Sequence, residues 1–315
     1  MSARRLLLFL AALLLASGAF ADWQNVAPGV DYQEFREDTY DIHVVRIDLT
    51  NDAIQIIGTR ESDKGTKVSD YARKIHAIAA INADYFDDKF NPIGLTVGPC
   101  GEWENSRRTK REGYVAIGNQ QARIARQSDV DQDAPADEWM ETAVSGWPAL
   151  IVDCTPLGAS ELPGSDTFTR SPHPRSAAGL SRDHNTLYLV VADGRRTGVP
   201  GMTLAQLAAF MASRLNACSA INFDGGGSTA MWVRDHIVNR PSDGVERPVA
   251  DHLAVILKSD FTECDPADEA RRVAVMKARE SKTGVTVTTI TTTTVTKTTT
   301  QKPQTSASTP PPPHP

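Results

Sequence analysis

A strand-like segment that runs directly into three consecutive glycines constrains this chain more than any other feature. Residues 220–223 are expected to form a strand, and Asp224, Gly225, Gly226, Gly227 and Ser228 follow at once. Successive glycines lose much conformational entropy on folding, so the backbone here needs unusual dihedral angles or a close approach by another group. Such a loop suits an anionic or sugar ligand, because it presents a carboxylate, N–H groups and a hydroxyl. A tight turn without a ligand fits the same residues.

Hydrophobic periodicity predicts the fold class. Alternating apolar residues predict strands at 45–49 and 187–191, and short apolar runs predict strands at 54–57, 78–81 and 253–257. The 54–57 strand is expected to pair with 45–49 across the turn at Asn51 and Asp52. Helices are predicted at 69–76 and after the capping box of Thr203 and Gln206. We predict a single α/β (α+β) domain with a mixed, largely antiparallel sheet flanked by helices.

The amino-terminal segment has the pattern of an export signal. Arg4 and Arg5 precede an apolar run of ten residues at 6–15, and Ala19 and Ala21 are the small residues that signal peptidases require. Residues 1–21 are therefore predicted to be a cleaved signal peptide, and the protein to be secreted or periplasmic. An uncleaved anchor is the alternative, but this run falls short of the roughly 20 apolar residues that span a bilayer.

The four cysteines fit an exported protein. Cys100, Cys154, Cys218 and Cys264 are widely spaced and form no C-x-x-C pair, so neither a zinc ribbon nor a thioredoxin-like site is expected. Two disulfides are predicted, and all three possible connectivities remain open. Four buried free thiols are the alternative.

The carboxyl-terminal part differs in composition from the rest. Residues 281–315 contain 14 threonines and six prolines, so they bury too little apolar surface to offset the entropy of ordering. We predict a disordered Thr/Pro-rich tail, with a strand at 285–295 as the alternative. Residues 265–280 are predicted to be a charged helix or linker, which leaves 22–264 as the folded domain.

Net charge argues against one broad class of function. The chain has a formal net charge of −6, and residues 22–280 carry 28 basic against 39 acidic side chains. A general nucleic-acid binder needs a basic face, so that function is not expected. The basic run of Arg107, Arg108, Lys110 and Arg111 could collect anionic substrates, although such runs are usually solvated loops.

Several segments resemble the phosphodiester glycosidase family in order and spacing, over about residues 66–257. Residues 221–231 are similar to the glycine-rich signature of the family, and residues 80–87 to its Asn-Gly-x-Phe-Phe-Asp block. Shorter matches occur at 93–95, 144–148, 174–179, 191–195, 201–204 and 246–249. The departures are Ala83, where the family usually has glycine, and Tyr85, which replaces the first phenylalanine. Asp84 stands where family members vary between glycine and aspartate.

The resemblance implies hydrolysis of a sugar-1-phosphodiester of the alpha-N-acetylglucosaminyl type, in glycans or envelope polysaccharide. Cleavage of a glycosidic bond usually needs two carboxylates, so Asp224 is the predicted nucleophile or base and Asp84 its partner. An arginine would neutralise the phosphate leaving group. The predicted substrate-binding residues are Arg175 for phosphate, Gly225, Gly226, Gly227 and Ser228 for phosphate or sugar oxygens, Asn82 and Asn222 for sugar hydroxyls, and Asp193 in support. No cofactor is predicted, and no EF-hand or histidine-rich spacing supports a metal.

Two other functions remain open. A noncatalytic carbohydrate- or envelope-binding module would keep the fold and the glycine-rich loop, but the joint presence of Asp224, Arg175 and Asn82 favours an enzyme. A phosphodiesterase that cuts the P–O bond instead of the C–O bond would use the same residues. The sequence leaves the oligomeric state open.

Overall fold

A computed structural model describes residues 22–37, 39–104, 106, 112–119, 121–129, 136–262, 264, 270 and 274. The predicted signal peptide, the basic run at 107–111, most of the predicted linker and the Thr/Pro-rich tail lie outside these residues. None of the helices in the described part of the chain is long and apolar enough to cross a membrane.

Strands make up most of the regular structure. In chain order they are β1 (Gln24–Ala27), β2 (Val30–Glu37), β3 (Tyr40–Asp48), β4 (Ile54–Gly58), β5 (Ala79–Asn82), β6 (Val97–Gly98), β7 (Gly101–Glu102), β8 (Gly113–Gly118), β9 (Gln121–Ala125), β10 (Thr142–Gly146), β11 (Ala149–Val152), β12 (Thr155–Pro156), β13 (Arg175–Leu180), β14 (Thr186–Ala192), β15 (Ser219–Asn222), β16 (Met231–Val233), β17 (His236–Ile237) and β18 (His252–Leu257). The α-helices are α1 (Val68–Lys74), α2 (Asp166–Thr169) and α3 (Leu204–Leu215).

The strands form three sheets, in the orders β1-β2-β3-β14-β13-β15-β11-β12, β7-β6-β10-β8-β9 and β17-β16-β5-β18-β4. Every described strand pair is antiparallel. The expected antiparallel character is therefore confirmed, but the described residues include no parallel pair and so no mixed sheet.

One predicted strand pairing is wrong. β4 does not pair with β3 across the Asn51-Asp52 turn; it pairs with β18 in the third sheet, while β3 lies between β2 and β14. Both strands nevertheless place apolar residues in one core, Val45 and Ile47 from β3 and Ile54 and Ile56 from β4. The chain between them therefore crosses from one sheet to the next around a shared interior.

That interior lies between the inner faces of all three sheets. It contains buried residues from β3, β5, β10, β14, β15 and β18, among other strands. Because side chains alternate along a strand, Val45 points into this core while its neighbour Val44 packs on the outer face beneath α3. Further along β3 the outer face carries Arg46, which is partly exposed, and Asp48, which is exposed, and this accounts for the predicted alternation.

Helices cover the sheets less completely than predicted. α3 begins with the predicted capping box, in which Thr203 Oγ1 accepts from the Gln206 N–H and Gln206 Oε1 accepts from the Thr203 N–H. It packs on the outer face of the eight-stranded sheet, and α1 packs on the outer face of the third sheet. α2 has only four residues, so two helices of the described part provide nearly all the flanking.

Two disulfides are present, as predicted. Cys100 pairs with Cys264, and Cys154 pairs with Cys218, which selects one of the three possible connectivities. The first joins the β6–β7 hairpin to the segment after β18. The second joins the connection between β11 and β12 to the residue before β15.

The two ends of the shared core differ. The carboxyl ends of β5, β10, β14 and β15 meet the beginnings of β13 and β18 at one end, which we call the cleft end. At the other end, short connections such as 49–53 and 181–185 surround an open cavity of about 610 Å³ with mostly polar walls.

Candidate active site

The cleft end holds the loop that the sequence singled out. β15 ends at Asn222, and the Asp224 N–H then donates to the Ala83 carbonyl at 2.9 Å, just beyond the end of β5. In return, Asn82 Nδ2 donates to the Asp224 carbonyl oxygen at 2.6 Å. These two bonds fix the start of the glycine loop, the segment 224–228, against the neighbouring sheet.

Asp224 is the carboxyl group that the glycine loop presents to the cleft. The residue is partly exposed, and its Oδ1 accepts the Gly225 N–H at 2.9 Å. Burial of much of the carboxyl group raises its pKa to about 6, while Ser228, the Gly225 N–H and Arg247 oppose this rise. The group is therefore ionised at neutral pH and chemically suited to act as a nucleophile or a base.

Two glycines allow arginine side chains to lie directly on this loop. Gly226 has a φ of +63°, and a Cβ atom there would come within 2.8 Å of Arg195 Nη2. A Cβ atom at Gly227 would collide with the Arg247 guanidinium group and the Asp243 carboxylate. A side chain at either position would therefore displace an arginine, and at Gly226 it would also strain the backbone.

Arg195 and Arg247 were not predicted as site residues. Both are exposed, and Arg247 pairs with Asp243 at 2.5 Å, whereas the Arg195 side chain has no hydrogen bond or ion pair among the described residues. Arg195 also has a φ of +57°, an uncommon conformation for a residue with a side chain and one that recurs at functional sites. Both arginines lie inside family-like segments, 191–195 and 246–249. These matches were the sequence signal from which the two residues could have been predicted.

The glycine loop offers fewer N–H groups than predicted. The Gly225 N–H is held by Asp224, and the Gly226 N–H donates to the Pro174 carbonyl at 2.9 Å. The Gly227 N–H has no acceptor among the described residues. Ser228 is buried and lies beside the Asp224 carboxyl group, so its hydroxyl does not line the cleft. One N–H group, supported by two guanidinium groups, replaces the predicted set of three N–H groups and a hydroxyl.

The two asparagines predicted to bind sugar hydroxyls lie beneath the cleft. Asn82 is fully buried, and its Oδ1 accepts from the Ser176 hydroxyl at 2.7 Å and the Ala230 N–H at 3.2 Å. Asn222 is 1% exposed, and its Nδ2 donates to the Tyr85 hydroxyl at 2.7 Å and to two backbone carbonyls. Protein atoms thus hold both side chains, although Asn222 Oδ1 has no partner among the described residues, and their predicted contact with sugar hydroxyls stays a prediction.

Asp84, the predicted partner of Asp224, also lies beneath the cleft. It is 1% exposed, and its carboxyl oxygens accept from the Ser145 N–H and the Thr96 hydroxyl, each at 2.5 Å. Its own N–H donates to Asp251 Oδ1 at 2.9 Å. Burial and repulsion from Asp251 raise the pKa of Asp84 well above its ordinary value, and burial raises the pKa of Asp251 to about 7. Asp84 is therefore part of a buried acidic pair, and its predicted role as the partner of Asp224 stays a prediction.

Arg175 is buried as well, and two of its guanidinium nitrogens donate to main-chain carbonyls. Nε donates to the Met202 carbonyl at 3.0 Å, and Nη2 donates to the carbonyls of Phe168 and Ser171 at 2.6 and 3.2 Å. Burial lowers the pKa of Arg175 to about 10, so it remains charged at neutral pH. Arg175 thereby holds the segment that carries α2, and its predicted contact with a phosphate stays a prediction.

Asp193 supports the main chain beside Arg195. It is 1% exposed, and its oxygens accept from Arg196 at 2.8 Å, the Arg240 N–H at 3.0 Å and the Asn239 amide at 3.1 Å. Its predicted contact with a ligand is therefore replaced by a structural one.

Among the described residues, one group of acidic and histidine side chains has the spacing of a metal site: Glu34, Asp41 and His43. Arg36 pairs with Glu34 at 2.6 Å and Arg196 with Asp41 at 2.9 Å, so both carboxylates already have cationic partners. None of the predicted site residues belongs to this group. The arrangement fits an ion-pair network better than a metal centre.

The cleft has the composition of a site for an anionic ligand, with one carboxyl group, an open N–H group and two arginines at one end of an antiparallel fold. A sequence model of the phosphodiester glycosidase family matches residues 76–256, more than half of the chain. The chain belongs to this family, as its motifs indicated. Membership supports a glycosidase-type activity in the broad sense.

Relatives and solved structures agree with this assignment. The SPbeta prophage-derived uncharacterized protein YomE of Bacillus subtilis is 26% identical over 195 residues, which are 61% of this chain but only 30% of that protein. The chain therefore spans about a third of the length of this relative.

Three solved structures share the fold. The catalytic domain of zebrafish N-acetylglucosamine-1-phosphodiester alpha-N-acetylglucosaminidase, auto-inhibited by its pro-peptide, has a TM-score of 0.57 at 19% identity, over 73% of this chain and 84% of that one. A hypothetical protein from Synechocystis has a TM-score of 0.54 at 16% identity, over 75% and 63%. A putative exported protein from Burkholderia pseudomallei has a TM-score of 0.50 at 19% identity, over 69% and 74%.

Proposed function

We propose that this protein is an exported hydrolase that cleaves a sugar-1-phosphodiester between the anomeric carbon and the phosphate oxygen. The observation that carries the proposal is the Asp224 carboxyl group on a glycine loop against which Arg195 and Arg247 lie. Family membership supports a phosphodiester glycoside as the substrate, and the zebrafish neighbour supports alpha-N-acetylglucosamine as the first sugar to test.

The chemistry follows from the groups that line the cleft. Arg195, Arg247 and the Gly227 N–H hold the phosphate and neutralise the charge that develops on it as the C1–O bond breaks. Asp224 either attacks C1, with water later displacing it, or takes a proton from water that attacks C1. The products are the free sugar and a phosphomonoester. Phosphate leaves readily without protonation, so this route needs no second carboxyl group and agrees with the burial of Asp84.

Export is part of the proposal. Two disulfides are typical of proteins in an oxidising compartment, and a neighbour in structure is described as a putative exported protein. The leader at 1–21, the domain at 22–264, the linker at 265–280 and the tail at 281–315 stay predictions from the sequence.

The test is turnover of an alpha-N-acetylglucosamine-1-phosphodiester by the purified protein in ¹⁸O-labelled water. We expect free sugar that carries the label at C1 and a phosphomonoester without label. In Asp224→Asn, kcat/KM should fall by about 10⁴-fold while the melting temperature is kept, as for loss of a central catalytic group. Label in the phosphate would instead assign P–O cleavage. No turnover across a panel of sugar-1-phosphodiesters would reject the proposal in favour of the binding module.

The pH profile provides an independent check on Asp224. Its carboxyl group must be ionised to act as nucleophile or base, and burial raises its pKa to about 6. We expect kcat/KM to be level above that pH and to fall about tenfold per unit below it. A profile that is flat from pH 4 to 8 would contradict this role.

A further inference from the structure

Three aromatic side chains lie together beside the cleft: Tyr85, Trp147 and Phe168, which we call the aromatic wall. The rings of Trp147 and Phe168 are stacked, with centroids 5.3 Å apart and planes inclined by 22°. The rings of Tyr85 and Phe168 lie 6.5 Å apart at 59°. All three residues are partly exposed, so part of the wall is open to solvent.

The aromatic wall is joined to the catalytic loop by hydrogen bonds. Asn222, two residues before Asp224, donates from Nδ2 to the Tyr85 hydroxyl at 2.7 Å and to the Trp147 carbonyl at 2.9 Å. The Trp147 N–H donates to the Asn222 carbonyl at 2.7 Å. The Asn222 amide, which does not reach the cleft, therefore fixes two of the three wall residues relative to Asp224.

Arg175 fixes the third wall residue. Its guanidinium group donates to the Phe168 carbonyl at 2.6 Å, and its Cζ lies 5.3 Å from the centre of the Phe168 ring. The preceding residue, Pro174, accepts the N–H of Gly226 at 2.9 Å. The Pro174–Arg175 segment thus touches the glycine loop on one side and supports the aromatic wall on the other, so the two lie next to each other in the cleft.

The two neighbouring parts of the cleft differ in chemistry. The glycine loop, with Arg195 and Arg247, suits a phosphate, whereas partly exposed aromatic side chains suit a flat ligand face made of C–H groups. A pyranose ring has such a face, and a sugar-1-phosphate places it directly beside the phosphate. We propose that the aromatic wall is the subsite for the pyranose ring whose anomeric carbon faces Asp224, with Asn222 and Arg175 as positioning residues. This inference rests on the proposed function.

The test separates sugar binding from phosphate binding in the full protein. Free N-acetylglucosamine, then glucose, galactose and mannose, are titrated and observed by saturation-transfer NMR. Inorganic phosphate is titrated separately and observed by the line width of its ³¹P NMR signal. Phe168→Leu keeps apolar volume but removes the ring, and Phe35→Leu is its matched control. Phe35 is likewise partly buried and packs against the same apolar cluster beneath α3 as Phe168. Its aromatic neighbours are Trp23 and Phe210, which do not belong to the aromatic wall.

We expect Phe168→Leu to weaken sugar binding by about three- to tenfold, the value of one aromatic contact, and to change phosphate binding less than twofold. Phe35→Leu should change neither. Arg195→Ala should show the reverse pattern, with phosphate binding lost and sugar binding kept. A melting curve for each variant establishes that it is folded.

Equal sugar affinity in the parent and Phe168→Leu would overturn the inference, as would absence of binding by every sugar in the panel. Equal loss of sugar and phosphate binding would also overturn it, because the wall would then act only through the fold. If sugar binding depends on Phe168 but no phosphodiester is cleaved, the proposed function fails and the sugar subsite stands.

Discussion

Three side chains line the glycine-loop part of the cleft, and five polar side chains lie directly beneath it. The cleft lining is Asp224, Arg195 and Arg247, which are partly or largely exposed. The buried polar layer is Asn82, Asp84, Asp193, Asn222 and Asp251, each no more than 1% exposed. Both groups come from segments with the same family-like motifs or close to them. In the proposed function only the lining contacts the ligand, so a polar residue within a motif can bind the ligand or hold the loop that binds it.

The difference has a physical cause. A polar group without water must find a hydrogen-bond partner in the protein, so each buried amide or carboxyl group holds a neighbouring strand or loop in place. Asn82, for example, joins the glycine loop, β13 and the start of β16 through three hydrogen bonds. Variants of the buried layer should therefore alter stability first, and variants of the lining should alter activity first.

After Asp224→Asn, the arginine variants of the lining should give the largest loss of activity, which sharpens this contrast. We expect Arg195→Ala and Arg247→Ala each to lower kcat/KM by about 10²- to 10³-fold, because each removes a cation from the developing phosphate charge. The free energy of unfolding should change little, since both side chains are exposed. Steady-state kinetics and urea unfolding measure the two quantities. Arg73→Ala, at a side chain 60% exposed on α1, is the matched control and should change neither. A large loss of stability in Arg195→Ala would contradict the difference between the cleft lining and the buried polar layer.

Asn82→Ala should show the opposite pattern. It leaves the Ser176 hydroxyl, the Ala230 N–H and the Asp224 carbonyl without their partner, so we expect about 2–4 kcal/mol of destabilisation. Urea unfolding should show a lower midpoint with an unchanged slope. If the variant kept full stability and lost only activity, Asn82 would belong with the cleft lining.

The buried acidic pair should make stability depend on pH. Asp251 has a pKa of about 7 in the folded protein, against about 3.9 in an unfolded chain. Between these values the folded state holds a proton that the unfolded state releases. The free energy of unfolding should thus fall as pH rises from about 4 to about 7, by up to about 1.4 kcal/mol per unit.

Asp251→Asn should remove this contribution. Urea unfolding of the parent and the variant at several pH values between 4.5 and 7.5 gives the difference between them, in which the effects of distant titrating groups cancel. The difference also contains the change at Asp84, whose pKa is raised in part by repulsion from Asp251. Asp52→Asn, at an exposed position far from the cleft, is the control. Parallel stability curves for the parent and Asp251→Asn would contradict the raised pKa.

Asp243→Ala should have the smallest effect. Asp243 pairs with Arg247, but both side chains are more than a third exposed, so the pair contributes about 0–1 kcal/mol to stability. We expect KM to change by less than about fivefold, because Arg247 keeps its charge. A loss in activity as large as that of Arg247→Ala would mean that Asp243 fixes the position of the arginine.

Local sequence signals predicted much of this fold. The capping box of Thr203 and Gln206, the alternation in β3 and the strand before Asp224 each depend on neighbours in the chain, and all three are present. The pairing of β4 was wrong because partner choice depends on a distant strand, β18. A turn at Asn51 and Asp52 is compatible with a hairpin and with a crossing between sheets.

The site was less predictable than the fold, because the positions of its side chains also depend on segments far apart in the sequence. The motif located the glycine loop and Asp224, since adjacent glycines are visible in the sequence. Burial of Asn82 and Arg175 depends on strands and loops that are far apart in sequence, so no local pattern distinguished them from ligand contacts. Arg195 lies 29 residues before Asp224 and Arg247 lies 23 residues after it, so no local pattern linked them to the glycine loop. Their family-like segments were the available signal, and their contacts with the loop are visible only in the structure.

The antiparallel arrangement of the strands has a practical consequence. Consecutive strands send alternate connections to opposite ends of the core, so turns such as 49–53 and 181–185 lie at the end remote from the cleft. Exposed turns of this kind tolerate inserted sequence. A linker inserted at 181–185 would attach the protein to a solid support with its cleft directed away from the support. An immobilised enzyme would then remain accessible to a polymeric substrate.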